Sequence, residues 1–219
     1  MLRESKGNMY PFVTHTWNPI KGRCSHDCEY CYMKRFPLKE LRLDEKELRT
    51  DLGSGRFIFV GSSTDMWAEN VPQEWIEKVL NCCNKARSNT YLFQSKNPGN
   101  FYGNDFPPKI KLGTTIETNR IYPCMGNVPP PWERSNHMIA YSARGFHTII
   151  TIEPILDFDL DEMVDLMHFI NCDWVNVGAD SQGHHLPEPS AEKVKALIEE
   201  LRKFTTVKIK SNLKRIAGA

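Results

Sequence analysis

The sequence lacks a long apolar run and carries almost no net charge. No stretch approaches the roughly 18 apolar residues of a membrane-spanning helix. No apolar run follows the charges of residues 1–12, so we expect neither a membrane anchor nor a secretory signal. The 28 basic and 27 acidic residues leave a net charge of +1, which excludes a strong overall field that attracts nucleic acid or anionic membranes. We therefore expect a cytoplasmic protein with no membrane partner.

Low-complexity segments, internal repeats and linker-like runs are also missing. The 219 residues are 40% hydrophobic and 25% charged, which is the composition of a globular protein long enough for a substantial core. The seven cysteines are odd in number and three fall within eight residues, a pattern unlike the disulfide framework of a secreted protein. We expect one domain over residues 1–219, with reduced thiols and a metal site.

What is present is an alternation of strand-like and helix-like segments. Short runs rich in Val, Ile, Phe and Thr are separated by longer segments of helical spacing, the pattern of βαβ units. The predicted strands are 12–16, 57–61, 91–94, 110–116, 148–152, 174–177 and 206–209. The predicted helices are 72–86, 132–144, 160–170 and 190–204. Periodicity alone leaves open whether the strands form a doubly wound sheet or a complete or partial barrel.

Three cysteines follow the first predicted strand with the spacing C-x3-C-x2-C. They are Cys24, Cys28 and Cys31. Three thiolates on a four-iron cluster leave one iron with an open coordination position, where chemistry can occur. A structural zinc site needs a fourth ligand, for which His26 or His15 is the candidate. The spacing leaves both a reactive cluster and a closed zinc site open.

The cysteine spacing, with the aromatic Tyr30 just before the third cysteine, resembles the signature of the radical S-adenosylmethionine (SAM) superfamily. Segments 16–33, 112–119, 151–156 and 174–183 resemble a family of small phage- and prokaryote-associated radical SAM proteins of unassigned function. Spore photoproduct lyase is a more distant resemblance. The resemblance implies an α/β fold, a single partial (βα) TIM-like barrel of six to seven parallel strands. It also implies two cofactors, a [4Fe-4S] cluster and SAM.

The resemblance further implies a reaction. Cys24, Cys28 and Cys31 would hold the cluster, and reductive cleavage of SAM would give methionine and a 5'-deoxyadenosyl radical that abstracts hydrogen from the substrate. An external electron donor of the flavodoxin or ferredoxin type would be required. A nucleic-acid base or nucleotide is the leading expectation for the substrate, while a peptide or small metabolite stays open. The alternative is a zinc- or cluster-stabilised binding module without turnover.

Polar residues at the strand ends are candidate site residues, because ligands of parallel barrels bind at the carboxyl ends of the strands. By analogy with the superfamily, the expected SAM-binding residues are Tyr30, Ser62, Ser63, Thr64, Asp65, Thr115, Glu117 and Glu153. The Asp65 carboxylate suits the methionyl ammonium group. A capped turn is the structural alternative for residues 62–65.

Two further residues are candidates for catalysis. Lys96 is expected to pair with the methionyl carboxylate or an anionic substrate, and a solvated loop lysine is the alternative. Cys124, in the loop after strand 110–116, is a candidate hydrogen-atom donor or an inert loop thiol. His184 and His185, in the loop after strand 174–177, are candidates for substrate contact or proton transfer, or simply an exposed pair.

Overall fold

The computed structural model describes residues 1–6 and 10–218, which form ten β-strands and five α-helices besides short 3-10 turns. The strands are β1 (Arg3–Glu4), β2 (His15–Trp17), β3 (Ile20–Lys21), β4 (Arg42–Leu43), β5 (Phe57–Val60), β6 (Thr90–Ser95), β7 (Ile110–Thr115), β8 (Thr148–Ile152), β9 (Trp174–Val177) and β10 (Thr206–Ile209). The helices are α1 (Gln73–Lys85), α2 (Pro131–Ala143), α3 (Leu160–Ile170), α4 (Ala191–Arg202) and α5 (Lys214–Ala217).

Eight strands form one mostly parallel sheet in the order β1-β2-β5-β6-β7-β8-β9-β10. The edge strand β1 runs antiparallel to β2, whereas β2 with β5, β5 with β6, β8 with β9 and β9 with β10 pair in parallel. Strands β3 and β4 form a separate antiparallel pair. The predicted α/β fold is confirmed, and the sheet is not closed, so the barrel is partial.

Local sequence explains why these segments form these elements. All five residues of β8 are buried, which is typical of a parallel strand covered on both faces. In α1, the buried residues Ile76, Val79, Leu80 and Cys83 recur at the spacing of one helical face. Helix α4 begins after Ser190, whose side chain accepts a hydrogen bond from the Lys193 amide.

The chain divides into two compact units. The first comprises Met1–Ser25 and Met33–Leu112 and contains β1 to β6, the start of β7 and α1. Its core includes the buried Trp67, whose ring contacts Phe93 and Phe101 edge-on at centroid distances of 5.8 and 4.9 Å. These aromatic contacts anchor the segment that follows β5.

The second unit comprises His26–Tyr32 and Gly113–Ala219. It contains the end of β7, strands β8 to β10 and helices α2 to α5. Fully buried apolar side chains on α3 and α4, including Met163, Met167 and Leu197, contribute to its core. The single domain expected over residues 1–219 stays a prediction.

The predicted elements differ from the observed ones mainly near the N-terminus. Instead of a strand over 12–16, the Val13 amide donates to Tyr10 O in a turn, and β2 begins at His15. Pro11 favours this turn because its ring fixes the backbone φ angle. The two-residue strands β1, β3 and β4 were not predicted, since two residues show no periodicity. Across the described residues, 1–6 and 10–218, no helix is long and apolar enough to cross a membrane.

Candidate functional site

The cysteine segment lies partly in each compact unit. Cys28 and Cys31 belong to the second unit, where Cys28 is 5% exposed and Cys31 is half-buried. The Cys31 amide donates to Cys28 O at 3.2 Å, so the two residues form a tight turn. Cys24 belongs to the first unit and is half-buried. All three are free thiols.

An apolar cluster surrounds Cys28. Its buried members are Cys28, Tyr30, Cys124, Met125 and Leu156, and the partly buried side chains packed against it are Cys31, Tyr122, Val128 and Leu186. Apolar surroundings limit the access of water and tune the properties of a metal centre held by thiolates. The environment of these two cysteines therefore suits an iron-sulfur cluster.

The backbone on both sides of Cys28 is held by the loop that precedes α2. The Glu29 amide donates to Cys124 O at 2.9 Å, and the Asn127 amide donates to His26 O at 2.6 Å. Gly126 adopts φ +72°, and a Cβ atom there would lie 2.1 Å from His26 O. The close approach of the two segments thus requires glycine at position 126.

Tyr30 is anchored by a buried carboxylate. Its hydroxyl donates to Glu117 Oε1 at 2.5 Å, and Arg134 Nη1 donates to Glu117 Oε2 at 2.8 Å. The side chains of Glu117 and Arg134 are both 0% exposed. Burial raises the pKa of Tyr30 well above its usual range, and the charges of Glu117 and Cys28 raise it further. The phenol therefore stays protonated and donates to Glu117.

Arg134 was missed by the sequence analysis. It lies near the start of α2, and its Nη1 also donates to the carbonyl oxygen of Thr115 at the end of β7. Its Nε and Nη2 atoms are buried and have no hydrogen-bond partner among the described residues. A buried carboxylate requires a compensating cation. Glu117 was expected to bind SAM and not to be buried, so no signal pointed to Arg134 as its partner.

The structure thus brings together four of the predicted site residues: Tyr30, Thr115, Glu117 and Cys124. Thr115 is 4% exposed and Cys124 is 7% exposed. Cys124 shares the apolar cluster with Cys28, and its backbone oxygen binds Glu29. Its thiol therefore lies in the same apolar surroundings as one predicted cluster ligand.

In the first unit, the turn after β5 is tied to the segment that leads to Cys24. Asn18 Oδ1 accepts hydrogen bonds from Ser62 Oγ at 3.2 Å and from the Ser63 amide at 2.9 Å. Thr64 Oγ1 donates to Gly22 O at 3.0 Å. Asn18 thus holds the predicted SAM-binding turn, a role that the sequence analysis did not assign.

The Asp65 carboxylate organises the ends of two strands. Asp65 Oδ2 accepts hydrogen bonds from Ser95 Oγ and from the Lys96 amide, each at 2.9 Å, and Oδ1 accepts one from the Trp67 amide at 3.0 Å. These bonds bring the predicted residues Asp65 and Lys96 together. The bond from the Trp67 amide closes a local turn, but Asp65 does not cap a helix, because α1 begins only at Gln73.

Glu153, just after β8, is held from the C-terminal end of the second unit. Lys210 Nζ lies 2.6 Å from Glu153 Oε2, and Asn212 Nδ2 donates to Glu153 Oε1 at 2.8 Å. Asn212 also bonds the backbone of Ala179, donating to its oxygen at 2.7 Å and accepting from its amide at 3.3 Å. Lys210 and Asn212 therefore fix the orientation of Glu153, and neither was predicted to do so.

The two histidines considered as zinc ligands have other hydrogen-bonding contacts. His26 is 4% exposed, and its Nδ1 lies 3.2 Å from Asn127 O. His15 Nδ1 lies 2.9 Å from Thr14 Oγ1. Within residues 1–6 and 10–218, no group of three or more His, Cys, Asp or Glu side chains is arranged to hold a single metal ion.

A groove of about 340 Å³ lies along α2 and α3, and none of the predicted site residues lines it. Its lining is Asn119, Trp132, Ser135, Asn136, Ile139, Glu162, Asp165, Leu166 and Phe169. Trp132 and Phe169 are 48% and 65% exposed. The groove contains none of the cysteines.

Solved structures with the same fold include two enzymes. A spore photoproduct lyase complexed with dinucleoside spore photoproduct matches with a TM-score of 0.67 and 10% identity, covering 96% of this chain and 79% of that one. A spore photoproduct lyase variant with bound AdoMet and the same dinucleoside matches with a TM-score of 0.61 and 10% identity, covering 93% of this chain and 64% of that one. SuiB from Streptococcus suis, bound to SAM, matches with a TM-score of 0.61 and 10% identity, covering 90% of this chain and 50% of SuiB.

These likenesses establish the fold of the chain. No curated protein matches the sequence. One family model matches residues 9–203, which is most of the chain. The chain therefore belongs to the family described as "Protein of unknown function (DUF5131)".

Proposed function

We propose that the chain is a radical SAM enzyme in which Cys24, Cys28 and Cys31 hold a [4Fe-4S] cluster. The observation that carries the proposal is the C-x3-C-x2-C segment, whose Cys28 and Cys31 lie among apolar side chains. Cys24 precedes Cys28 by four residues, so the chain keeps their Cα atoms within at most about 14 Å. The likeness of the fold to structures that contain bound SAM supports the same assignment.

When bound, the cluster would supply the electron that cleaves SAM, and the resulting 5'-deoxyadenosyl radical would take a hydrogen atom from the substrate. The residues of this chain prepare the site. The three thiolates would bind iron, and Glu117 orients Tyr30, which lies between Cys28 and Cys31 in the sequence. Arg134 neutralises Glu117, while Met125 and Leu156 exclude water near Cys28. An electron donor of the flavodoxin or ferredoxin type is part of the proposal.

SAM would be bound by residues at the strand ends. The proposed set is Tyr30, Ser62, Ser63, Thr64, Asp65, Thr115, Glu117 and Glu153. Hydrogen bonds to Asn18, Ser95 and Asn212 support this set, because they fix polar groups before a ligand arrives. Lys96 would pair with an anionic group of SAM or substrate. Cys124 would hold a hydrogen atom at Sγ that can be donated to a substrate radical.

The first substrate class that we propose is a nucleic-acid base or nucleotide. The support is the likeness to spore photoproduct lyase structures that hold a dinucleoside spore photoproduct. A peptide is the second class, because a SuiB structure of the same fold is bound to its precursor peptide SuiA. Both classes present C–H bonds that a carbon-centred radical can attack.

The decisive experiment is anaerobic. The protein is reconstituted with iron and sulfide and then incubated with dithionite and SAM, and 5'-deoxyadenosine is assayed by mass spectrometry. We expect 5'-deoxyadenosine from the wild type and none from Cys28→Ala, which should also lose iron and sulfide. Cys172→Ala is the matched control, because Cys172 is a buried cysteine outside the motif.

Two outcomes would contradict the proposal. One is zinc in place of iron in protein purified without oxygen, which would support the alternative of a zinc-stabilised binding module. The other is an intact, reducible cluster that neither binds SAM in a titration nor cleaves it.

A further inference from the structure

The loop after β9 is built around one carboxylate, Asp180. This residue follows the end of β9 by three positions, and its side chain is 6% exposed. Asp180 accepts hydrogen bonds from the Gln182 amide at 3.1 Å and from the His184 amide at 2.6 Å. His184 Nδ1 lies 2.8 Å from Asp180 Oδ1. One carboxylate therefore fixes both the loop backbone and the histidine ring.

The charge of Asp180 decides which nitrogen of His184 carries the proton. Burial acts to raise the pKa of Asp180, but the hydrogen bonds from His184 and Gln182 outweigh burial and lower it. An ionised carboxylate only accepts hydrogen bonds, so the hydrogen of a neutral His184 ring lies on Nδ1. The lone pair of Nε2 is then available to accept a proton.

The dyad is held by Arg215 and lies close in sequence to a residue that packs against the apolar cluster around Cys28. Arg215 Nη2 donates to Asp180 O at 2.9 Å, and Arg215 Nη1 donates to Glu188 at 2.7 Å. Leu186, two residues after His184, packs against the apolar cluster that contains Cys28. The His184 side chain is 24% exposed, so its ring is accessible without being fully solvated.

We propose that Asp180 and His184 form a proton-accepting site for a substrate that presents an O–H or N–H group. The substrate O–H or N–H bond breaks, its electron pair stays on the substrate atom, and the proton binds His184 Nε2. The negative charge of Asp180 stabilises the resulting imidazolium, as in other His–carboxylate pairs. The inference rests on the proposed function, since it assigns an acid–base group to the same substrate site.

The test uses diethyl pyrocarbonate, which acylates an unprotonated imidazole nitrogen, on the protein without iron or SAM. Peptide mass spectrometry follows His184 and its exposed neighbour His185 in the same sample. On the high-pH plateau of the acylation rate, where ring protonation no longer limits the reaction, we expect Asp180→Asn to slow acylation of His184 by about tenfold and to leave His185 unchanged. An equal rate at His184 in the wild type and the variant would overturn the proposal.

A second measurement does not depend on the Asp180→Asn variant. Nitrogen-15 NMR of the wild type, with the signals assigned through His184→Gln, reports which ring nitrogen of neutral His184 carries hydrogen. Hydrogen on Nδ1 supports the proposal, and hydrogen on Nε2 overturns it. Neither experiment uses the cluster or SAM, so a failure here is distinct from an absence of 5'-deoxyadenosine, which bears on the proposed function.

Discussion

Tyr30 donates its hydroxyl hydrogen to Glu117 at 2.5 Å, and this bond joins the cysteine segment to the segment that follows β7 within one compact unit. The bond lies in a fully buried setting, because Glu117 is 0% exposed and its other oxygen binds Arg134. The turn between Cys28 and Cys31 is thereby fixed at its central aromatic residue. Such a network stabilises the site only while every member is present.

The first prediction concerns the buried ion pair. Arg134→Met leaves the Glu117 carboxylate buried without its cation, and we expect the free energy of unfolding to fall by about 3–5 kcal/mol. Urea unfolding at neutral pH measures the change. The double variant Arg134→Met with Glu117→Gln should be more stable than the single variant, because no uncompensated charge remains. A double variant that is less stable than Arg134→Met would contradict this account.

The second prediction concerns the loop that holds the cysteine segment. Gly126→Ala adds a Cβ atom 2.1 Å from His26 O, whereas Gly103→Ala, at a similar φ of +74°, meets no atom within 4 Å. Both variants carry backbone strain, but Gly126→Ala also crowds the backbone beside Cys28. We expect it to cost about 1–3 kcal/mol more than Gly103→Ala in urea unfolding. An equal loss of unfolding free energy in the two variants would show that the close approach of residue 126 to His26 does not limit stability.

The third prediction concerns a thiol outside the motif. Burial raises the pKa of Cys172 to about 11, so its thiol is almost entirely neutral at pH 8. Because the thiolate is the nucleophile, we expect iodoacetamide to modify Cys172 far more slowly in the folded protein than in urea, with a rate that rises toward pH 11. Peptide mass spectrometry measures the rate. Rapid labelling of Cys172 in the folded protein at pH 8 would contradict its buried placement.

The fourth prediction concerns acid stability. Hydrogen bonds from Arg120, and next from Asn119, lower the pKa of Asp159 from 3.8 to about 2. A carboxyl group with a depressed pKa in the folded state stabilises the fold above its unfolded pKa. This contribution should therefore be present above pH 4 and lost as the pH falls from about 4 to 2.

Thermal unfolding between pH 2 and 6 tests this contribution. In Asp159→Asn, the melting temperature should fall less steeply as the pH decreases from about 4 to 2. High salt should reduce this difference between the variant and the wild type, because the Asp159 side chain is 50% exposed. An acid limb that is identical in the wild type and Asp159→Asn would contradict the role of the Arg120 contact.

The sequence by itself predicted the α/β fold, because the features that encode it are local. The apolar run of β8 and the helical spacing of Ile76, Val79 and Cys83 in α1 can be recognised without knowledge of any neighbour in space. The cysteine motif is equally local, since three residues within eight carry the resemblance. All seven predicted strands and all four predicted helices overlap elements of the structure, although the first strand does so only at His15 and Thr16.

The tertiary structure decided which side chains meet. Tyr30 and Glu117 are 87 positions apart, and Glu153 and Asn212 are 59 apart. No spacing rule connects residues at such separations, and Arg134 and Asn212 look like ordinary polar residues of a helix start and a C-terminal segment. Arg134 has its role because the buried Glu117 carboxylate must be compensated. Asn212 has its role because only the folded chain brings it within hydrogen-bonding distance of Glu153.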